Sequence, residues 1–404
     1  MMDIRRPFRL LTLGVLVTSV AIGALGPTAR AGGHPNLNTI DSLMSRLMSE
    51  YHVPGAGLGL IQDGRVLLEK GYGYRNLDSR APVTAETLFN IGSISKSFTA
   101  LGIAQLVDQH KLDLDVPVIR YMPALRLSEP AATRTITLRQ LLSHSGGLPP
   151  DEQWPPQVPP YRSDIIGEFA TMPMTAQPGT RFQYCSRCVV LAALILQGVT
   201  GESWETYTRT HIFAPLGMTA ASFGLAGLEN GNDGAQPYRY DALPGQVQVP
   251  WQRLDYLDSL APAAGIDANI ADMIRYALFQ LGVSSMSDRR VLSAQMLEEL
   301  HRPEIAVAKS WWTSVPIQDA HCGLGWFTAE YRGARIVFHD GVNPGYRASI
   351  MLAPGSKAGV VVLTNGESMK FINAATLRLL DELLGLTPRE PSNGESAKVR
   401  KQTH

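Results

Sequence analysis

Lysine is scarce in this chain of 404 residues. There are 8 lysines against 28 arginines, and none between Lys111 and Lys309. Amine chemistry therefore has few places to sit. An excess of charge of either sign is also missing, with Lys+Arg 36 and Asp+Glu 36. Without a basic block, an electrostatic nucleic-acid binder is excluded. Cysteine is nearly absent, and 3 cysteines do not make a disulfide scaffold. Cys185-Ser186-Arg187-Cys188 has neither a second pair nor a nearby histidine for zinc. Gly 37 and Pro 27 are too few for a low-complexity or collagen-like chain, while 45% apolar residues suit a globular core. No apolar run of 18 residues occurs anywhere, so beyond a leader nothing predicts a membrane span.

The N-terminus reads as a leader. Arg5, Arg6 and Arg9 precede an apolar run from Leu10 to Gly26, and Ala29-Arg30-Ala31 supplies the small-residue cleavage site. Arg5-Arg6-Pro7-Phe8 also resembles a twin-arginine signal. The run of 17 residues is marginal for crossing about 30 Å of hydrocarbon, so a cleaved signal is expected over an anchor. Removing residues 1–31 leaves 32 cations and 35 anions, a net charge of −3. The expectation is an exported protein, periplasmic or extracellular.

Hydrophobic periodicity predicts a helix over Asn36–Tyr51, then strands Ala56–Gln62 and Arg65–Tyr72 joined by the turn dipeptide Asp63-Gly64. Ser93–Gln109 reads as a helix. The middle mixes helices near Cys188–Val199, Ile270–Leu281 and Ala294–His301 with Pro-rich loops. Strands return at Gly323–Tyr331, Arg335–His339, Tyr346–Leu352 and Gly359–Leu363, followed by a helix Phe371–Leu384. With strands at both ends and helices between, the predicted class is α/β of the α+β type. An antiparallel sheet flanked by the terminal helices carries an all-helical lobe. The expected divisions are an α/β lobe (36–92 and 304–385), a helical lobe (93–303) and a disordered polar tail (386–404). A cleft between the lobes is the expected site.

Three motifs in order could carry chemistry. Ser93-Ile94-Ser95-Lys96 occurs once. Residues three apart on a helix share a face, so the amine reaches the hydroxyl, and the helix start favours developing negative charge. Alone this tetrapeptide is weak, and an ordinary exposed helix turn would explain it. Tyr184-Cys185-Ser186 offers a phenol as a proton shuttle beside a lysine. His339-Asp340-Gly341 lies at the end of a predicted strand, where glycine lets a ligand approach the backbone. Cys185 and Cys188 read first as buried small apolar side chains, then as a local disulfide. His144 reads as structural, and Trp311-Trp312 as core or rim packing. No G-x-S-x-G elbow, H-E-x-x-H or Walker A is present.

Together these motifs resemble the serine β-lactamase and penicillin-binding-protein superfamily, most closely its class C-related branch of esterases, D-aminopeptidases and DD-peptidases. Leu141-Leu142-Ser143-His144-Ser145-Gly146-Gly147-Leu148, Val199-Thr200-Gly201, Pro215-Leu216-Gly217-Met218 and Pro262-Ala263-Ala264-Gly265-Ile266 match in the same order, so the resemblance covers roughly residues 38–384. It implies the β-lactamase/transpeptidase-like fold, Ser93 as nucleophile, Lys96 as its base and Tyr184 as proton shuttle. His339 takes the strand-motif position that is lysine in many β-lactamases, and Gly341 follows it. The backbone N–H groups of Ser93 and Val342 form the implied oxyanion hole. No cofactor and no metal are implied, and the partner is a small-molecule or peptide substrate. Two positions depart from the family pattern. Ser186 stands where an asparagine amide is usual, and His-Asp-Gly replaces Lys-Thr-Gly. With Asp340 disfavouring a substrate carboxylate, an ester or amide hydrolase is expected ahead of a true β-lactamase or D-Ala-D-Ala carboxypeptidase. A non-catalytic cell-wall-peptide binder is the further alternative.

Overall fold

The computed structural model describes residues 36–388 except Asn230, Asn232, Pro244, 284–290 and 312–314. The leader, Trp312 and all but the first residues of the predicted tail lie outside the described residues. Among those described, no helix is long and apolar enough to cross a membrane.

Nine strands form one sheet, each antiparallel to its neighbours. In chain order they are β1 (Gly55–Gln62), β2 (Arg65–Asn76), β3 (Ala81–Pro82), β4 (Ile305–Ala306), β5 (Gln318–Cys322), β6 (Phe327–Tyr331), β7 (Ala334–Asn343), β8 (Tyr346–Ala353) and β9 (Ala358–Thr364). Their spatial order is β3-β2-β1-β9-β8-β7-β6-β5-β4, so the N-terminal hairpin sits against the last strand. The predicted hairpin turn is present, with Asp63 and Gly64 both at positive φ (50° and 73°).

Strand alternation divides the core in two. Leu58, Leu60, Val360 and Val362 face one cluster with the terminal helices α1 (Leu37–Glu50) and α5 (Met369–Leu383). Ile61, Val361, Leu363 and Ile350 face the other cluster, shared with the helical region. That cluster contains α2 (Ser95–Asp108), α3 (Ser186–Thr200) and α4 (Ile270–Gln280). On the helical side β1 carries Gly57 and Gly59. A Cβ there would lie 2.5 Å from Ile270 Cγ1 or 2.7 Å from Ile274 Cγ1, so these glycines let α4 lie directly on the strand.

Helix α2 runs through the middle of the helical region, and every residue from Ser95 to Leu106 is buried. A helix apolar on all sides has no solvent face. Lys96, in its first turn, is therefore fully buried.

Four expectations are corrected. The predicted strand Gly323–Tyr331 starts only at Phe327, because Gly325 at φ 70° turns the chain and its N–H donates to Leu142 O. The edge strand β4 and its neighbour β5 were not predicted, because β4 is only two residues long and β5 is mostly polar with no alternating burial. A hairpin Tyr238–Asp241 and Gly245–Gln248 also forms in the middle region and was not predicted. Finally, β7 does not end at His339 but continues to Asn343. It can do so because Gly341 lacks a side chain, since an added Cβ would strike Ile91 O.

Candidate active site

The nucleophile turn is held from below. Phe89–Asn90 pairs with the strand Ile266–Ala268, and Gly92–Ile94 forms a 3-10 turn leading into α2. Ser95 Oγ donates to Gly92 O at 2.7 Å and accepts from Ile266 N at 3.0 Å. Gly92 takes φ 53°, and a Cβ on it would lie 2.7 Å from Val342 N. A side chain here would carry a left-handed strain and collide with the strand. The turn holding Ser93 thus lies directly against the Gly341–Val342 backbone.

Lys96 Nζ donates to Ser93 Oγ at 3.0 Å and to Ala263 O at 3.0 Å, and sits 4.7 Å from the centroid of the Tyr184 ring. Burial disfavours its ammonium and lowers its pKa to about 8, against a smaller opposing pull from Asp151. Burial drives the Tyr184 pKa well above the ordinary value, against a smaller lowering pull from the neighbouring Ser93 hydroxyl, so the phenol stays protonated. The two environments push these groups in opposite directions along the pH scale relative to a common task. The lysine becomes available as a base near neutrality and the phenol remains a donor.

His339, 2% exposed, lies on the helical side of β7 with Val337 and Gly341. Its Nδ1–H donates to Asp340 O at 2.8 Å, which leaves Nε2 as an acceptor. Burial first, then the Lys96 charge, hold its pKa at about 3, so the ring is neutral. Asp340 points to the other face, opposite Ser349 on β8, and not beside His339. Arg347 donates to Asn343 O and Tyr346 O, both at 2.7 Å, bracing the β7–β8 turn.

Ser186 begins α3, and its hydroxyl turns to Asp151, donating to Oδ2 at 2.5 Å while its N–H donates to Oδ1 at 2.6 Å. Cys185 and Cys188 are joined as a disulfide, the second of the two expected readings, and both are buried. Cys185 Sγ also accepts from Cys188 N at the helix start. The structure thus brings Ser93, Lys96, Tyr184, His339, Gly341 and Val342 together, with Ser186 one layer away.

Sequence reasoning missed five contributors: Asn90, Asn343, Asp267, Tyr256 and Asp151. Asn90 Oδ1 accepts from Gly92 N at 3.0 Å and from Asn343 Nδ2 at 2.5 Å, tying the nucleophile turn to the end of β7. Asn90 Nδ2 donates to the buried Asp267 at 2.9 Å. Tyr256 OH donates to Asn343 Oδ1 at 2.7 Å. Asp151 meets Ser186 as described. The available signal was weak: Asp151 follows the Leu141–Leu148 segment, and Asn90 stands two residues before Gly92. His144, read as structural, accepts from Cys185 N through Nδ1 at 3.1 Å and lies 4.4 Å from the Tyr184 ring. Trp311, 42% exposed, packs at the rim 5.5 Å from Tyr184 and 5.1 Å from Phe182. Among the described residues no group of His, Cys, Asp and Glu is arranged to hold a metal ion.

A large antiparallel sheet with a helical region, and a serine–lysine–tyrosine cluster between them, define a β-lactamase-like fold. The chain belongs to the Beta-lactamase family, which matches residues 40–383. Penicillin-binding protein 4 of Amycolatopsis lactamdurans is 30% identical over 355 residues, covering 84% of this chain and 88% of that protein. Protein flp of Staphylococcus aureus (strain NCTC 8325 / PS 47) is 27% identical over 329 residues, or 81% of this chain. This match spans only 62% of the flp protein's own length. The solved structure of the octameric penicillin-binding protein homologue from Pyrococcus abyssi superposes with a TM-score of 0.77 at 29% identity, over 88% of this chain and 79% of that one. The D-amino acid amidase of Ochrobactrum anthropi shares the fold, with a TM-score of 0.72 at 23% identity over 86% of this chain and 98% of that one.

Proposed function

We propose that the protein is an exported serine hydrolase that cleaves an ester or amide through an acyl-enzyme on Ser93. One observation carries this reading: the Ser93 hydroxyl accepts a hydrogen bond from a buried lysine whose pKa falls to about 8, and that lysine lies against the Tyr184 ring. Ser93 Oγ attacks the acyl carbon and its proton passes to Lys96 Nζ. The N–H groups of Ser93 and Val342 receive the oxyanion. Tyr184 protonates the leaving group and is reprotonated by the Lys96 ammonium. Water then releases the acyl group by the same route in reverse order.

Neutral His339 supports a substrate without a carboxylate at that position. An imidazole offering an acceptor does not grip an anion as an ammonium and a hydroxyl do. A neutral ester or amide is therefore favoured over a β-lactam or a D-Ala-D-Ala terminus. The charged leader pattern of residues 1–31 supports export.

The test is Ser93→Ala in the purified full chain. Turnover of a p-nitrophenyl acyl ester and labelling by a fluorophosphonate should both disappear, and turnover that survives would refute the assignment. A panel of nitrocefin, a D-Ala-D-Ala peptide, a D-amino acid p-nitroanilide and a short-chain p-nitrophenyl ester ranks the substrate classes. If wild-type protein gains no covalent adduct from any probe by intact mass, it is a binder on the same fold.

A further inference from the structure

The Tyr184 segment is gripped residue by residue from one neighbouring stretch. Gln183 N donates to His144 O at 2.7 Å, and Cys185 N to His144 Nδ1 at 3.1 Å. Asp151 N donates to Tyr184 O at 2.9 Å. The Asp151 carboxylate then takes both the N–H and the hydroxyl of Ser186. Four consecutive residues therefore have their positions set by His144 and Asp151. The last of these contacts brings a carboxylate to the place where Ser186 replaces the usual neutral amide.

We propose that Asp151 is a positioning residue of the site, which anchors Ser186 and thereby Tyr184, and which stands as the fixed anionic neighbour of the Lys96–Tyr184 pair. The inference rests on the serine-hydrolase reading above. Several titratable groups face Lys96. Tyr184 lies across its amine, and His144 and His339 approach from the loop and from β7. Both histidines are held neutral by burial, and the phenol stays protonated. Asp340 reaches Tyr184 from the opposite face of β7. Of the groups facing Lys96, Asp151 brings negative charge, and its field favours the lysine ammonium. The chain thus trades a neutral amide for a short serine hydroxyl backed by an acid. The acid restrains the base that burial has released.

The sign of the effect follows. Removing the charge while keeping the hydrogen bonds lowers the pH at which Lys96 gives up its proton. Asp151→Asn is nearly isosteric: its amide oxygen still accepts from Ser186 N and its NH2 can donate to Ser186 Oγ. The experiment is the pH profile of kcat/KM for a p-nitrophenyl ester, with wild type, Asp151→Asn, Asp151→Glu and Asp151→Ser. The acid limb should move down by about half a pH unit or more in both neutral variants. It should return toward the wild-type position in Asp151→Glu. Superposable limbs in wild type and whichever neutral variant folds would overturn the proposal, as would an upward move. Fluorophosphonate labelling of Ser93 in the same preparations separates the two readings. Labelling with an unmoved limb defeats only the role of Asp151. No labelling in wild type defeats the hydrolase reading itself.

Discussion

At the scale of single residues, the site is governed by desolvation. Lys96 is the lysine that α2 buries completely, and a buried ammonium loses its proton more easily. The expected kcat/KM for ester turnover therefore rises with pH as Lys96 deprotonates, through a limb near 8. A flat profile between pH 6 and 9 would contradict the base role. Lys96→Arg should reduce kcat by at least about 10²-fold, because a guanidinium does not give up its proton in that range. Asp340 supplies a second prediction, read as stability. Burial lifts its pKa from 3.8 to about 6, so the folded chain holds this proton more tightly than the unfolded one. Stability from this group is fully present below about pH 4 and declines as pH rises through 6. Asp340→Asn should thus stabilise the protein at pH 7.5 by roughly 1–3 kcal/mol and by little at pH 4. Equal gains in urea denaturation at both pH values would show that the carboxylate is not the cause.

At the scale of elements, the contact of α4 with β1 depends on two missing side chains. Gly59→Val should cost about 1–3 kcal/mol by pushing Ile274 off the strand, while KM for the ester changes little. Thermal denaturation with matched kinetics checks this, and an unchanged Tm would refute the close-packing account. The same strand shows what was legible in the sequence. Gly-Ala-Gly-Leu-Gly-Leu alternates, so β1 and its turn to β2 could be read directly. The terminal helices announced themselves by apolar spacing, and Ser93, Lys96 and Tyr184 by their order along the chain. Short strands such as Gln318–Cys322, one in from the sheet edge, gave no periodic signal, because their sequence is mostly polar and their burial does not alternate. The true extent of β7 was hidden for another reason. His-Asp-Gly-Val-Asn has weak strand propensity, and only the fit of Gly341 beneath the nucleophile turn sustains it. Asp151, Asn90 and Asp267 were illegible because their meaning is pairwise, and their partners lie far away along the chain or carry no motif.

At the scale of the whole molecule, one sheet serves two cores. The face with α1 and α5 forms one cluster and the face toward the helical region the other, with the site at the rim of both. Tyr184 itself leans on the terminal-helix cluster through Phe327, while Lys96 belongs to the helical side. Activity therefore needs both cores intact. In a urea titration, ester turnover should be lost with, or before, the far-ultraviolet helical signal. Turnover that outlasts the helical signal would contradict this dependence.

The hydrogen bond from Asn343 to Asn90 has a consequence in time as well as in space. It joins positions 253 apart in the chain, so the strand that completes the implied oxyanion hole is made long after the serine turn. Contacts of such long range close late, after local helices have formed. A growing or partly refolded chain would hold its serine, lysine and tyrosine without the backbone that stabilises the reaction. The site is in this sense silent until that strand has been made and paired, and recovered turnover would mark a late act of folding.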